Sequence, residues 1–232
     1  GNISYNITDD IDDQICTLNA ISEKYELPQT MENLKNNFFI VTGTGCRMRY
    51  VHSDPMNNAA IIRISADGTY YEIIAEKNIK PTSELPSHLL IHNVILGKGR
   101  KIKTVIHTHP IELVAMTHNS DFLGKDVLSK LLWSMIPETR AFCPKGVGIV
   151  PYALPGSMEL AQKTVEQLDD YDVVLWEKHG ALAIGEDIIE AFDMIDTLTK
   201  SAKIYESACS MGFKPKGMSD EQMDELKRVF NL

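Results

Sequence analysis

Two histidines stand two residues apart in the stretch IKTVIHTHP, His107 and His109, and they are the residues here whose type and spacing best suit chemistry. The stretch is apolar and β-branched until Pro110 stops it, which reads as a strand. Residues i and i+2 of a strand point to one face. Two imidazoles on one side offer nitrogen donors at a spacing that a single divalent metal can bridge. A third ligand and an open coordination position would make such a site catalytic rather than structural. His179 is the best candidate for the third ligand: it follows the apolar run DVVLW at a tight turn, and Gly180 beside it gives the backbone room. A pair of partly exposed histidines without a metal fits the same pattern, and the HxH spacing alone does not choose between the two.

The remaining histidines carry weaker signals. His118 follows a helix and can cap its C-terminus, and His52 lies beside Asp54 in a loop. His92 falls on a helix, facing either outward or into packing. His88 is four residues after Glu84 on one helical face, placed either behind a site or in the core.

Two segments could hold an anion. TGTG, residues 42–45, follows a strand, and its Thr44 and Gly45 leave backbone N–H groups and a hydroxyl available to a phosphate. TSE, residues 82–84, opens a helix, whose dipole and unsatisfied N–H groups favour negative charge near Ser83. Either segment also reads as an ordinary turn or cap. Glu84 in a first helical turn is either a favourable charge–dipole contact or a carboxylate acting as general base.

These residues need a scaffold, and the composition supplies one. With 232 residues and 44% hydrophobic content, the chain can build one sizeable core, read as a single domain over residues 1–232. A formal net charge of −9 excludes broad binding to nucleic acid or anionic lipid, though a small anionic substrate remains compatible. The four cysteines are far apart and form no CxxC, as expected of small buried residues in a reducing, cytoplasmic compartment. No apolar run approaches the roughly 18 residues of a membrane span. The chain opens without Met at GNISYNITDD, already in a patterned segment, so processing, trimming or an expression scar is expected there.

The elements follow from periodicity. Residues 1–10 read as a strand and turn, and 11–37 as a polar excursion with a short helix. NFFIVTGTG is a buried strand, and NNAAIIRIS-ADG-TYYEIIAE a hairpin around Asp67-Gly68. PTSELPSHLLIHNVILGKG is a helix capped by Thr82 or Ser83, with Pro86 in its first turn and Gly97 and Gly99 at its end. After the HxH strand come helices over 111–117 and 121–135, a strand in GVGIV, a helix from Ser157 to Leu168, and two strands joined at Lys178-His179-Gly180. A last helix over 186–211 carries Ile188, Ile189, Phe192, Ile195, Leu198, Ala202 and Tyr205 at helical period. Alternating helices and strands predict an α/β fold, with a central, largely antiparallel or mixed sheet covered by helices on both faces.

Taken in order, GNIS, TGTG, PTSELPSH, HTHP and EKHG resemble the class II, zinc-dependent aldolase and adducin-like family over nearly the whole chain. FIVTGTG, DPMNNAAIIRI, GVGIVPYALPG and VVLWEKHGAL are similar to the branch that acts on rhamnulose phosphate. The resemblance implies zinc held by His107, His109 and His179, with Glu84 as the catalytic carboxylate. It implies a substrate phosphate gripped around Asn2, Thr44, Gly45 and Ser83, and a further glutamate, Glu138, reaching in from a neighbouring subunit. It implies a homotetramer with sites at subunit interfaces and a sugar phosphate as substrate. The family normally places a helix and an Asn-rich turn ahead of the position of Gly1, including one asparagine that helps grip phosphate. Sister aldolases, epimerases or dehydratases share the pattern, and the non-enzymatic adducin branch is expected to lack the ligands.

Overall fold

The computed structural model describes residues 1–74 and 77–231; Ala75 and Glu76, on which the second strand of the expected hairpin ends, lie outside them, as does Leu232. In chain order the elements are β1 (Asn2–Asn6), α1 (Asp13–Cys16), β2 (Tyr25–Glu26), β3 (Phe38–Thr42), α2 (Met48–Val51), α3 (Pro55–Asn58), β4 (Ala59–Ile64), β5 (Tyr70–Ile73), α4 (Leu85–Gly97), β6 (Thr104–Thr108), α5 (Ile111–Met116), α6 (Val127–Met135), α7 (Pro137–Phe142), β7 (Val147–Val150), α8 (Met158–Gln167), β8 (Val173–Trp176), β9 (Gly180–Gly185), α9 (Ile188–Ser210) and α10 (Asp220–Val229). The class is α/β with mixed strand pairing, as predicted. Among the described residues no helix is long and apolar enough to cross a membrane. The chain divides into two compact units, one of residues 1–106, 153–165 and 184–188, the other of residues 107–152, 166–183 and 189–232.

The first unit contains the antiparallel order β2-β5-β4-β3-β1. Side-chain alternation sorts its two faces. Phe39 and Val41 of β3 join Ala60, Ile62 and Ile64 of β4 beneath Leu85, Leu89 and Leu90 of α4. Phe38 points the other way, to Ile7 and Ile74, where Ile11 and Ile15 cover it. The β4–β5 turn is held by Asp67, whose carboxylate accepts from the Ser65 hydroxyl at 2.6 Å and from the Thr69 hydroxyl at 2.8 Å. Those hydroxyl donors, helped by the Thr69 N–H, lower its carboxyl to about 2. Gly68 takes φ +75° there, and a Cβ on it would lie 2.8 Å from the Met31 carbonyl oxygen. The polar excursion contains more order than expected, since β2 pairs with β5.

α4 carries the first functional segment. Pro86 sits in its first turn, and Gly97 and Gly99 close it as predicted, with Gly99 at φ +70°. Its start differs from the expectation: the N-cap is Glu84, not Thr82 or Ser83. Thr82 accepts the Glu84 N–H on its hydroxyl at 3.3 Å and the Leu85 N–H on its carbonyl at 3.0 Å. Thr82 thus takes the N–H groups of Glu84 and Leu85 at the helix start, and the Glu84 side chain makes no capping bond. The helix is buried nearly all round, including Ser87, His88 and His92.

In the second unit β8 pairs antiparallel with β9 and parallel with β7. Every residue of β8 is buried, which is why its sequence is a continuous apolar run. Trp176 faces Gly180 across the β8–β9 turn, and Lys178 takes φ +60° at its tip. The helix expected over 121–135 is shorter: a 3-10 turn covers Ser120–Phe122, and α6 begins only at Val127 after Asp126 at φ +60°. Gly124 inside the expected span is the weak point. The face of α9 is rotated from the expected stripe. Ala191, Met194, Ile195, Leu198, Ser201 and Ala202 are buried, whereas Ile188, Ile189 and Phe192 are exposed. Small residues at 191, 201 and 202 let the helix approach closely, so the largest apolar side chains do not mark the packed face.

Because α4 is anchored by Leu89, which is fully buried, Leu89→Ala is expected to destabilise the protein by about 3 kcal/mol through lost burial and a residual cavity. Urea unfolding measures this; a loss below about 1 kcal/mol would mean that α4 is not held by this core.

Candidate active site

The second unit brings the three predicted metal ligands together. His107 lies in β6 and His109 just past its end, and their Nε2 atoms are 3.0 Å apart. His179 comes from the β8–β9 turn, and one ligand nitrogen from each of the three lies within 4.8 Å of the others. The ring centroids are 4.7 to 5.4 Å apart. His107 is buried, His179 half-buried and His109 exposed, so the cluster has a closed back and an accessible side.

Backbone groups set this arrangement. His107 Nδ1 lies 2.9 Å from the Ala181 carbonyl oxygen, which only accepts, so Nδ1 carries the proton and Nε2 presents its lone pair to the cluster. Ligand histidines are typically oriented in this way. The Trp176 ring backs His107 at a centroid distance of 4.4 Å. The turn that carries His179 is tied down by the Lys178 N–H, which donates to the Thr117 hydroxyl at 2.8 Å. Gly180 is required by packing: a Cβ there would lie 2.6 Å from His107 Cε1, 2.6 Å from the Thr108 carbonyl oxygen and 2.9 Å from His109 Cδ2. Three imidazole nitrogens converging on one point, one of them tautomer-locked by a carbonyl, fit a divalent metal that takes nitrogen ligands. Thr117, Trp176 and the Ala181 carbonyl were not legible in advance, because nothing in sequence separates them from ordinary residues.

In the first unit, Glu84 and Asn2 meet. Asn2 Nδ2 donates to Glu84 Oε2 at 2.9 Å, and both residues are buried. Asn2 Oδ1 faces His88 Nε2 at 2.6 Å. Neither contact is visible from a separation of more than 80 residues. Thr44 and Gly45 occupy the exposed turn after β3, and Ser83 is exposed just before α4. A bridge from Gly43 to Pro81 and the Thr44 N–H to Lys80 carbonyl bond, 2.8 Å, set that turn against the segment leading to Ser83. The spacing of TGTG and PTSE in sequence is therefore closed up in the fold. Glu138 is exposed in the first turn of α7, in the second unit.

Comparison with known proteins decides the family. The model of the Class II Aldolase and Adducin N-terminal domain matches residues 2–205. The chain belongs to this family. A rhamnulose-1-phosphate aldolase of Bacteroides thetaiotaomicron is 54% identical over the whole chain and 86% of its own length. A rhamnulose-1-phosphate aldolase of Klebsiella pneumoniae is 33% identical, again over the whole chain and over 85% of its own length. Among solved structures, a sugar-phosphate aldolase from Thermotoga maritima shares 34% identity at a TM-score of 0.75, covering 93% of this chain and 88% of that one. As a class II aldolase the chain is an enzyme of the lyase type, and the three clustered histidines can hold the metal on which that class depends.

Two outcomes follow from this geometry. Gly180→Ala should lower bound metal by roughly tenfold or more, because the new methyl group displaces two ligand rings; elemental analysis reads it, and full metal content would show that the rings are not held by this approach. Burial pushes His88 and His92 down to about 3, from an ordinary value near 6.5. The unfolded chain then takes up protons that the folded chain refuses, so stability falls as pH drops from about 6.5 towards 3. The slope should approach about 1.4 kcal/mol per pH unit for each histidine. Urea midpoints of chelated protein measure it, and a flat profile between pH 6 and 4.5 would contradict neutral, buried imidazoles.

Proposed function

We propose that the protein reversibly cleaves L-rhamnulose 1-phosphate to dihydroxyacetone phosphate and L-lactaldehyde, with zinc as its metal. The observation that carries this reading is the 54% identity, over the whole chain, to a rhamnulose-1-phosphate aldolase. The clustered histidines support it independently, since the non-enzymatic branch of the family is expected to lack them.

His107, His109 and His179 would hold the zinc, which as a Lewis acid would supply stabilisation of the negative charge left on the three-carbon fragment when the C3–C4 bond breaks. Glu84 takes and returns the C3 proton of dihydroxyacetone phosphate as general base. Asn2, Thr44, Gly45 and Ser83 grip the phosphate; Asn2 has one Nδ2–H on Glu84 and its oxygen on His88, so its second N–H serves the phosphate. A phosphate held away from the bond that breaks positions the reacting carbon without changing its chemistry. Glu138 shuttles protons or orients the aldehyde end from a neighbouring subunit, in a fourfold-symmetric homotetramer. Its exposure, and that of Phe142, Ile189 and Phe192, supports such a surface. A Schiff-base route would want a desolvated lysine, and among the described residues no lysine is buried. The four cysteines are free, in keeping with a cytoplasmic enzyme, although Cys16 and Cys209 are exposed where the sequence predicted buried residues.

The test pairs elemental analysis with a coupled assay for dihydroxyacetone phosphate, before and after chelation. About one zinc per chain and chelator-sensitive release from L-rhamnulose 1-phosphate are expected. Glu84→Ser should retain zinc and lose nearly all turnover, and His107→Ala should lose both. Activity within a few-fold in Glu84→Ser would remove the base assignment. Zinc without cleavage of this ketose, but with cleavage of another ketose 1-phosphate, would assign a sister substrate.

A further inference from the structure

Behind Glu84 lies a buried row of polar side chains, of which the steps above use only Asn2. Glu84, His88 and His92 recur every four residues along α4 and share one stripe of the helix. Asn2 and Ser4 alternate on β1 and share one face of the strand. The two sets interdigitate. His92 Nε2 lies 2.9 Å from Ser4 Oγ, Ser4 Oγ lies 2.7 Å from His88 Nδ1, and His88 Nε2 lies 2.6 Å from Asn2 Oδ1. Asn2 Nδ2 lies 2.9 Å from Glu84 Oε2. Ser4 and His88 are fully buried, and His92, Asn2 and Glu84 are between 2% and 9% exposed.

Hydrogen-bond valence sets the direction of every link. A carboxylate only accepts, so the Asn2 amide must turn its NH2 to Glu84 and its oxygen to His88. That oxygen also only accepts, so His88 must carry its proton on Nε2. His88 is neutral in this burial, which leaves a lone pair on Nδ1, and the Ser4 hydroxyl must donate to it. With its one proton used, Ser4 must accept from His92, whose proton is then on Nε2. All four links point towards the carboxylate, and each excludes the alternative tautomer or rotamer of the next.

We propose that Ser4, His88 and His92 are positioning residues: through Asn2 they form a one-way relay that holds the Glu84 carboxylate in a single orientation for proton transfer. The proposal rests on the reading of Glu84 as general base. A glutamate at a helix N-cap has three rotatable side-chain bonds, and reaction from a misdirected carboxylate is slow. Fixing Oε2 from behind restricts the rotamers that the carboxylate can take. Side chains packed between a strand and a helix cannot shift singly, so the orientation is set by the fold before substrate arrives.

Two measurements on the full-length protein decide it. Long-range 15N–1H NMR of histidine-labelled enzyme, with His88 and His92 assigned by single substitution, should show both as Nε2–H tautomers between pH 6 and 8. The Nδ1–H form at His88 would overturn the relay, whatever the kinetics. The second measurement is the kinetics of Ser4→Ala, which removes one hydroxyl two links from Glu84. The turnover number should fall roughly tenfold or more while KM stays within about twofold and zinc content is unchanged. In the Glu84→Ser background the same substitution should cause no further loss, because there is no carboxylate left to orient. Unchanged turnover in Ser4→Ala, or an equal loss in both backgrounds, would overturn the positioning role. A fully active Glu84→Ser enzyme would instead refute the base assignment, while the tautomers would still decide whether the relay exists.

Discussion

A polar group shut away from water must find a partner or cost the fold one to several kcal/mol, and that constraint organises both halves of this protein's chemistry. α4 is almost entirely buried, yet it carries two imidazoles and a carboxylate on one stripe. β1 answers with an amide and a hydroxyl at matching height. The same requirement acts on His107, which is fully buried and gives its spare ring proton to the Ala181 carbonyl. In each case a group that could adopt two tautomers or two rotamers is left with one. Satisfying the buried groups and preorganising the reactive ones are therefore a single task, and a conformation favourable for stability is also the conformation in which the chemistry is set.

Backbone proximity complements this polar order. Gly180 stands where any side chain would collide with two ligand rings and with the Thr108 carbonyl. The glycine lets one strand begin where another ends, and it is this approach, more than the two-residue spacing, that brings a third imidazole to the pair. The turn before it adopts φ +60° at Lys178, a conformation that costs a non-glycine residue some free energy, and the Thr117 hydroxyl helps hold it.

Much of this was legible beforehand, for identifiable reasons. HTHP, TGTG and PTSELPSH sit at strand ends and at a helix start, where side-chain direction follows from local geometry alone, so the clustering of His107 with His109 and the turns at Thr44 and Ser83 were readable from short windows. The β4–β5 hairpin announced itself through Asp67-Gly68 for the same reason. What failed was non-local. The packed face of α9 is set by small residues whose neighbours lie elsewhere in the chain, so counting large apolar side chains put Ile189 and Phe192 on the wrong side. The start of α4 fell two residues later than a Thr82 cap implies: Thr82 does take the Glu84 N–H, but the N-cap position is Glu84, whose side chain bonds Asn2 rather than the helix. His92, read as facing outward or packed, is bonded to Ser4, 88 positions away, and no window of sequence contains that pairing.

Burial also separates residues bound into the interior from those that the fold leaves open to change. The residues assigned to metal binding and proton transfer lean on buried partners: Ala181 and Trp176 behind His107, Asn2 and His88 behind Glu84. Changing any of these disturbs several satisfied groups together, so they resist substitution whatever the substrate is. Thr44, Gly45, Ser83 and Glu138 are exposed, and few internal bonds depend on their side chains. Such positions can change with little cost to the fold. A fold whose interior is fixed by buried hydrogen bonds can keep its chemistry while exposed turns vary, as expected of a family that acts on different substrates.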